Sequence, residues 1–252
     1  MQTATVRCCE MLTTLADYPF ETFLFEGREA IIVFPRNKET NGNWALKTEY
    51  WDAFPEVEIA LLEKGFCVAF VTNESRLAPK SDCDCKARFA AYISQTYHLK
   101  NKCVPVGMSC GGAHAVRFAG FYPELVACMF IDAPVLNYCD FPGKLGAEYE
   151  EVWEKEFLKT YPGMMRYKLL GFAEHPICMT EKLIAQRVPT IMVWGDADDV
   201  VSYELNGRLL EQAMDGLPFF RAIQVAGRGH HPHGIPGGND QIVDFILQFC
   251  AD

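Results

Sequence analysis

The stretch VPVGMSCGGAHAVRFAG, residues 104–120, decides how the chain is read. An apolar run suited to a strand meets Gly107-Met108-Ser109-Cys110-Gly111, and small and apolar residues suited to a helix follow at once. A serine between glycines at a strand-to-helix turn can be held in a strained conformation with its hydroxyl exposed. The N–H of Cys110 then lies at a helix N-terminus, where it points to a developing oxyanion. By itself the segment leaves three readings: Ser109 as nucleophile, Cys110 as reactive thiol, or a glycine-rich turn with no chemistry.

Outward from this turn the chain alternates short apolar runs with helical patterns. Residues 20–35 read as a hairpin around Glu26-Gly27-Arg28, and Gly65 ends a helix begun in EYWDAFPEVEIALLEKG. FCVAFV (66–71), KCVPVGM, LVACMFID, PTIMVWG and FRAIQVAG read as strands. Helices fall at 83–97, 110–122 and near 203–214, and DQIVDFILQF closes the chain. Near-continuous apolar strands separated by helices predict a mostly parallel, doubly wound sheet of about eight strands in one domain, residues 1–252. Residues 136–188 break the rhythm and read as a short helical cap over the carboxyl ends of the strands. Its aromatics Trp153, Phe157, Tyr161 and Tyr167 either shape a pocket or pack the cap.

Composition narrows the function. A net charge of −10 with no basic run argues against a nucleic-acid partner. No apolar run approaches the ~20 residues of a membrane span, and the N-terminal segment lacks the pattern of a signal peptide. The expected location is the cytoplasm, with homo-oligomerisation open. Eleven cysteines, odd in number and scattered through core segments, read as reduced and mostly buried. Cys83 and Cys85 form one C-x-C pair without a second, so neither a metal nor any other cofactor is expected.

A serine nucleophile needs a base and an acid. AGRGHHPHG follows a strand and presents His230 after Gly229; His231 and His233 read as rim or structural side chains. The same cluster could offer three nitrogens to a metal, but no carboxylate or cysteine set accompanies it. TIMVWGDADDVV ends a strand with Asp196, Asp198 and Asp199, one of which should accept from the histidine. These three segments follow separate strands of one sheet and can converge on one edge, in the order serine, acid, histidine.

The chain resembles the α/β-hydrolase superfamily over nearly its whole length. GMSCGG matches the nucleophile elbow with Ser109, WGDADDVV places the acid at Asp198, and GRGHHPH matches the histidine loop with His230. It is also similar to a bacterial group often found beside carbohydrate esterases. The shared features are NGNWALKTEYWDAFP, Asp132 to Val135, Glu204, Asn206 and the GHHPH ending. Two departures stand out. That group carries Arg after the nucleophile where this chain has Cys110, and many superfamily members carry His-Gly where it has Pro35-Arg36. Pro35 has no N–H, so the second oxyanion donor is expected from Arg36, Asn37 or Trp44, beside the Cys110 N–H.

The resemblance implies a serine carboxylesterase acting on a small-molecule or oligosaccharide ester. A peptidase or amidase of the prolyl-oligopeptidase type is a second reading. A catalytically silent binding module of the same fold is a third.

Overall fold

The computed structural model describes residues 15–37, 39–140 and 151–250. The N-terminal segment and residues 141–150 of the insertion lie outside these, as do the side chains of residues 151–153, Trp153 included.

Eight strands pair in the order β1-β2-β4-β3-β5-β6-β7-β8. The first two, β1 (Phe20–Phe25) and β2 (Arg28–Val33), form the expected hairpin, and β2 pairs antiparallel with β4 (Cys67–Val71). From there β3 (Trp44–Lys47), β5 (Val104–Met108), β6 (Met129–Asp132), β7 (Thr190–Gly195) and β8 (Phe220–Val225) continue the sheet in parallel. All carboxyl ends from β4 to β8 therefore point to one edge.

Alternation along the strands splits the core into two layers. Ile32, Leu46, Ala69, Ile131 and Met192 face α2 (Lys80–Thr96), α3 (Cys110–Phe121), α5 (Thr180–Ala185) and α6 (Gly207–Met214). Ile31, Ala45, Val68, Val106, Phe130 and Val193 face α1 (Glu56–Glu63) and α7 (Asp240–Cys250). Both faces are dry, which is why these strands read as unbroken apolar runs. Within the insertion, Phe157 of α4 (Glu151–Thr160) joins Leu77, Cys110, Ala113 and Tyr138 in a third cluster, whereas Met179 and Leu183 belong to the layer against α3. Phe157 and Tyr161 pack with Tyr138 and Phe172, while Tyr167 points to solvent. The described cysteines are free thiols, most of them buried. Among the described residues no helix is long and apolar enough to cross a membrane.

The sequence pattern does not announce β3. Its four residues, WALK, are all buried, including the lysine. Lys47 Nζ donates to Glu58 Oε1 at 2.5 Å and to the Ala53 carbonyl at 3.1 Å. A buried pair of this kind destabilises strongly when one partner is removed, because the other charge is left uncompensated. Lys47→Met is therefore expected to cost roughly 3–5 kcal/mol at neutral pH, and Lys47→Met with Glu58→Leu to recover most of it. Urea denaturation of the three proteins checks this; a double variant no more stable than the single one would show that the pair is not the source of the loss.

Candidate active site

Ser109 sits where β5 turns into α3 without an intervening loop residue. To make the turn it takes φ 53° and ψ −121°, a conformation that costs a non-glycine residue on the order of 1–3 kcal/mol. Its N–H donates to the Asp132 carbonyl at 2.9 Å, and its own carbonyl accepts from Val135 and Gly112 at 2.9 and 3.0 Å. A Cβ on Gly107 would come within 2.2 Å of the Gly111 carbonyl oxygen, so only glycine permits this approach of strand and helix.

The three segments expected to converge do so. His230 Nε2 lies 3.1 Å from Ser109 Oγ, and His230 Nδ1 lies 2.8 Å from Asp198 Oδ2. A carboxylate only accepts, so Nδ1 carries the proton and Nε2 is left to accept from the serine hydroxyl. Burial works against the Asp198 charge. Its bond to His230 and the Val200 and Val201 N–H groups, both at 2.9 Å, nevertheless hold the carboxyl below its usual range. Asp196 is elsewhere: it is exposed and accepts from Gln224 Nε2 and the Gly227 N–H. Asp199 is exposed as well.

Neither loop is held by apolar packing alone. Asp132, at the end of β6, receives Arg228 Nη1 and Nη2 at 2.9 and 2.5 Å and the Gly234 N–H at 2.6 Å. Arg228 returns a bond to the Gly234 carbonyl at 2.7 Å, and its own carbonyl accepts from the Ala197 N–H at 3.0 Å. At Gly195 a Cβ would meet that carbonyl oxygen at 2.1 Å, so the acid and histidine loops touch through backbone. Asn206 Oδ1 accepts from the Leu136 and Asn137 N–H groups, tying the segment after β6 to the start of α6. His231 stacks on Phe54 at 5.3 Å, and His233 lies edge-on to the same ring. Among the described residues no group of three His, Cys, Asp or Glu side chains is arranged to hold a metal ion.

Cys110 is the first residue of α3, so its N–H has no acceptor within the helix. Its thiol is fully buried beside Tyr50 and the cap cluster, and burial pushes it up to about 12. That environment rules it out as a thiolate nucleophile at neutral pH.

The expected second oxyanion residues are not at the site. β2 runs antiparallel to β4, so Arg36 and Asn37 emerge at the opposite edge of the sheet; Arg36 meets Glu63 at 3.3 Å there, and Asn37 meets Glu39. Trp44 begins β3 at that same far edge, with Nε1 donating to the Lys100 carbonyl at 2.9 Å. The strand that leads into the site is β3, and the segment after it is Thr48–Tyr50. A Cβ on Gly111 would lie 3.3 Å from Glu49 Cβ and 3.5 Å from its backbone nitrogen, and Tyr50 packs against the cluster holding Cys110. The signal for this segment was the buried WALK run before it, too short and too charged to stand out.

No family model and no curated protein sequence matches the chain. Among solved structures it is similar to the fluorophosphonate-binding serine hydrolase FphF of Staphylococcus aureus, with TM-score 0.67 and 14% identity over 93% of this chain and 98% of that one. It is similar to the S-formylglutathione hydrolase FrmB of Staphylococcus aureus, with TM-score 0.65 and 13% identity over 92% and 98%. Porphyromonas gingivalis dipeptidyl peptidase 4 matches with TM-score 0.64 and 17% identity over 92% of this chain but only 35% of that one. The chain spans 35% to 39% of the peptidases and the puromycin hydrolase that head the matches. Strand order, the turn at Ser109 and these likenesses agree: the chain has the α/β-hydrolase fold.

Proposed function

We propose that the protein is a serine hydrolase that cleaves a carboxylic ester through an acyl-enzyme. The single observation that carries this reading is the hydrogen-bonded line from Asp198 through His230 to Ser109, buried at the carboxyl edge of the sheet. Ser109 Oγ attacks the ester carbonyl while His230 Nε2 takes its proton, and the same proton then goes to the departing alcohol. Asp198 keeps the proton of the resting imidazole on Nδ1 and stabilises the imidazolium that forms. A water, activated by His230, then releases the acid. The tetrahedral oxyanion is held by the Cys110 N–H and by a second donor from Glu49 or Tyr50, the Thr48 N–H being given to the Val106 carbonyl, in place of Arg36, Asn37 and Trp44.

A small acyl ester, or one on an oligosaccharide met in the cytoplasm, fits the resemblance to the group found beside carbohydrate esterases. That part of the reading is analogy of fold and motif. A serine hydrolase and an S-formylglutathione hydrolase among full-length likenesses favour an ester over a peptide substrate.

Ser109→Ala is expected to abolish hydrolysis of short p-nitrophenyl esters and labelling by a fluorophosphonate probe, with an unchanged circular dichroism spectrum. Retained turnover in that variant would move the chemistry to another residue. Asp198→Asn is expected to lower kcat by about 10³- to 10⁴-fold, since the imidazole loses its orienting acceptor. The same carboxyl also links stability to pH. Its folded pKa is depressed, so its contribution is complete above the ordinary value of about 4 and is lost as pH falls through the lower folded value. The stability advantage of the wild type over Asp198→Asn should therefore hold above about pH 4 and shrink as pH falls below it in urea titrations. A constant difference would mean that Asp198 is not held ionised by the fold.

A further inference from the structure

Behind the elbow lies a buried polar cluster that the reaction itself does not use. Lys86, on α2, is fully buried. Its ammonium donates to Asn73 Oδ1 and lies 3.2 Å from His114 Nδ1. His114, on α3 and also fully buried, donates from Nε2 to the Ser75 carbonyl at 2.9 Å. That tautomer leaves Nδ1 free to accept from the lysine. Burial, with the Lys86 charge adding to it, drives the His114 pKa far down and keeps the ring neutral.

Asn73 passes this anchoring on. With its carbonyl oxygen held by Lys86, its Nδ2 faces the opposite way and donates to the Thr48 carbonyl at 2.7 Å and to the Glu49 carboxylate. Thr48 is bound from the other side as well, its hydroxyl lying 2.7 Å from the Gly111 carbonyl and 3.0 Å from that of Val106. The backbone next to Asn73 is fixed by Asp82, one turn before Lys86 on α2. The Asp82 carboxylate accepts from the Glu74 and Ser75 N–H groups at 3.0 to 3.2 Å and from Arg28 at 2.5 Å. Tyr50, at the end of the held segment, has φ 53°, which a non-glycine residue keeps only when its surroundings impose it.

A buried ammonium with no carboxylate in direct contact among the described residues is costly, and an apolar side chain at 86 would be the simpler way to fill the space. What the amine adds is direction: a fixed carbonyl on Asn73 and therefore a fixed pair of donors toward Thr48 and Glu49. We propose that Lys86 and Asn73 are positioning residues that hold Thr48–Tyr50 at the distance from Cys110 needed to complete the oxyanion site. The inference rests on the serine-hydrolase reading and deepens it, because it assigns the transition-state contribution of the loop to a support on α2. Lys86 is fully buried, and the Asn73 side chain is spent on Lys86, Thr48 and Glu49.

The test uses the full chain and begins with fluorophosphonate labelling of the wild type at Ser109. Asn73→Asp, which keeps an acceptor for Lys86 but removes both donors, and Lys86→Met are then compared in kcat and KM for p-nitrophenyl acetate. Each should lose about 10- to 100-fold in kcat with KM changed by no more than about 2-fold, since a misplaced oxyanion donor acts on the transition state alone. Because the two act in series, the double variant should be no slower than the slower single one. Rates per labelled active site separate this from unfolding, which lowers the number of sites and leaves the rate at each unchanged. If Lys86→Met does not fold, Asn73→Asp decides. A labelled wild type with a folded Asn73→Asp at full kcat overturns the inference alone. An unlabelled wild type overturns the serine-hydrolase reading and the inference with it.

Discussion

The site depends on how closely β5 and α3 approach behind Ser109. With a would-be Cβ on Gly107 only 2.2 Å from the Gly111 carbonyl, strand and helix meet backbone to backbone, and the Thr48 hydroxyl lies between them. The chain has no loop in which to relax, so the turn falls on Ser109 itself and forces its left-handed φ. Burial offsets the strain: α3 is buried from Cys110 through Gly120, and a helix so enclosed cannot shift to let the serine relax. The same approach brings Thr48, and with it the segment after β3, beside the first turn of α3.

The acid and the base arrive by another route. Their loops leave neighbouring strands β7 and β8 and would be free to splay apart if apolar contact were all that joined them. Asp132 and Arg228 prevent this with two fully desolvated charges, and the Arg228 carbonyl reaches the acid loop directly. Such a pair adds little net stability compared with apolar packing of the same volume. Its bidentate geometry, though, sets direction as well as distance, and a histidine that must face a serine on one side and a carboxylate on the other needs both.

Most of this was legible in the sequence, because the parts that speak chemically are also local. The elbow, the acid at a strand end and the histidine after a glycine each follow an apolar run, and runs buried on both faces are easy to see. What stayed hidden was β3 and everything it positions. WALK is four residues long and ends in a lysine, whose partner Glu58 lies eleven positions away on a helix, so neither length nor polarity marks a buried strand. With β3 unmarked, the strand before Pro35 reads as the one leading into the site, and that reading places the oxyanion donors at the wrong edge. Lys86 and Arg117 were hidden for the same reason. A charged residue in a helix reads as solvent-facing until the tertiary contacts are known, and both side chains are fully buried. Patterning records where apolar groups go; it does not record which charges are desolvated on purpose.

Cys110 shows what the small side chain after the nucleophile permits. An arginine, which the sequence resemblance leads one to expect there, would need partners for its guanidinium in the space where Leu77, Ala113, Tyr138 and Phe157 now close around a thiol. With cysteine the cap cluster seals against the first turn of α3, and Tyr50 packs against the same cluster. Positive charge is still near: the Arg76 guanidinium acts on both Cys110 and Tyr50, but it comes from the segment before α2 and is bound by Glu156 of α4. A charge that would be fixed to the elbow is thus held instead between the segment before α2 and α4. The cluster around Cys110 is correspondingly apolar, and the part-buried Arg76–Glu156 pair is not one of its members.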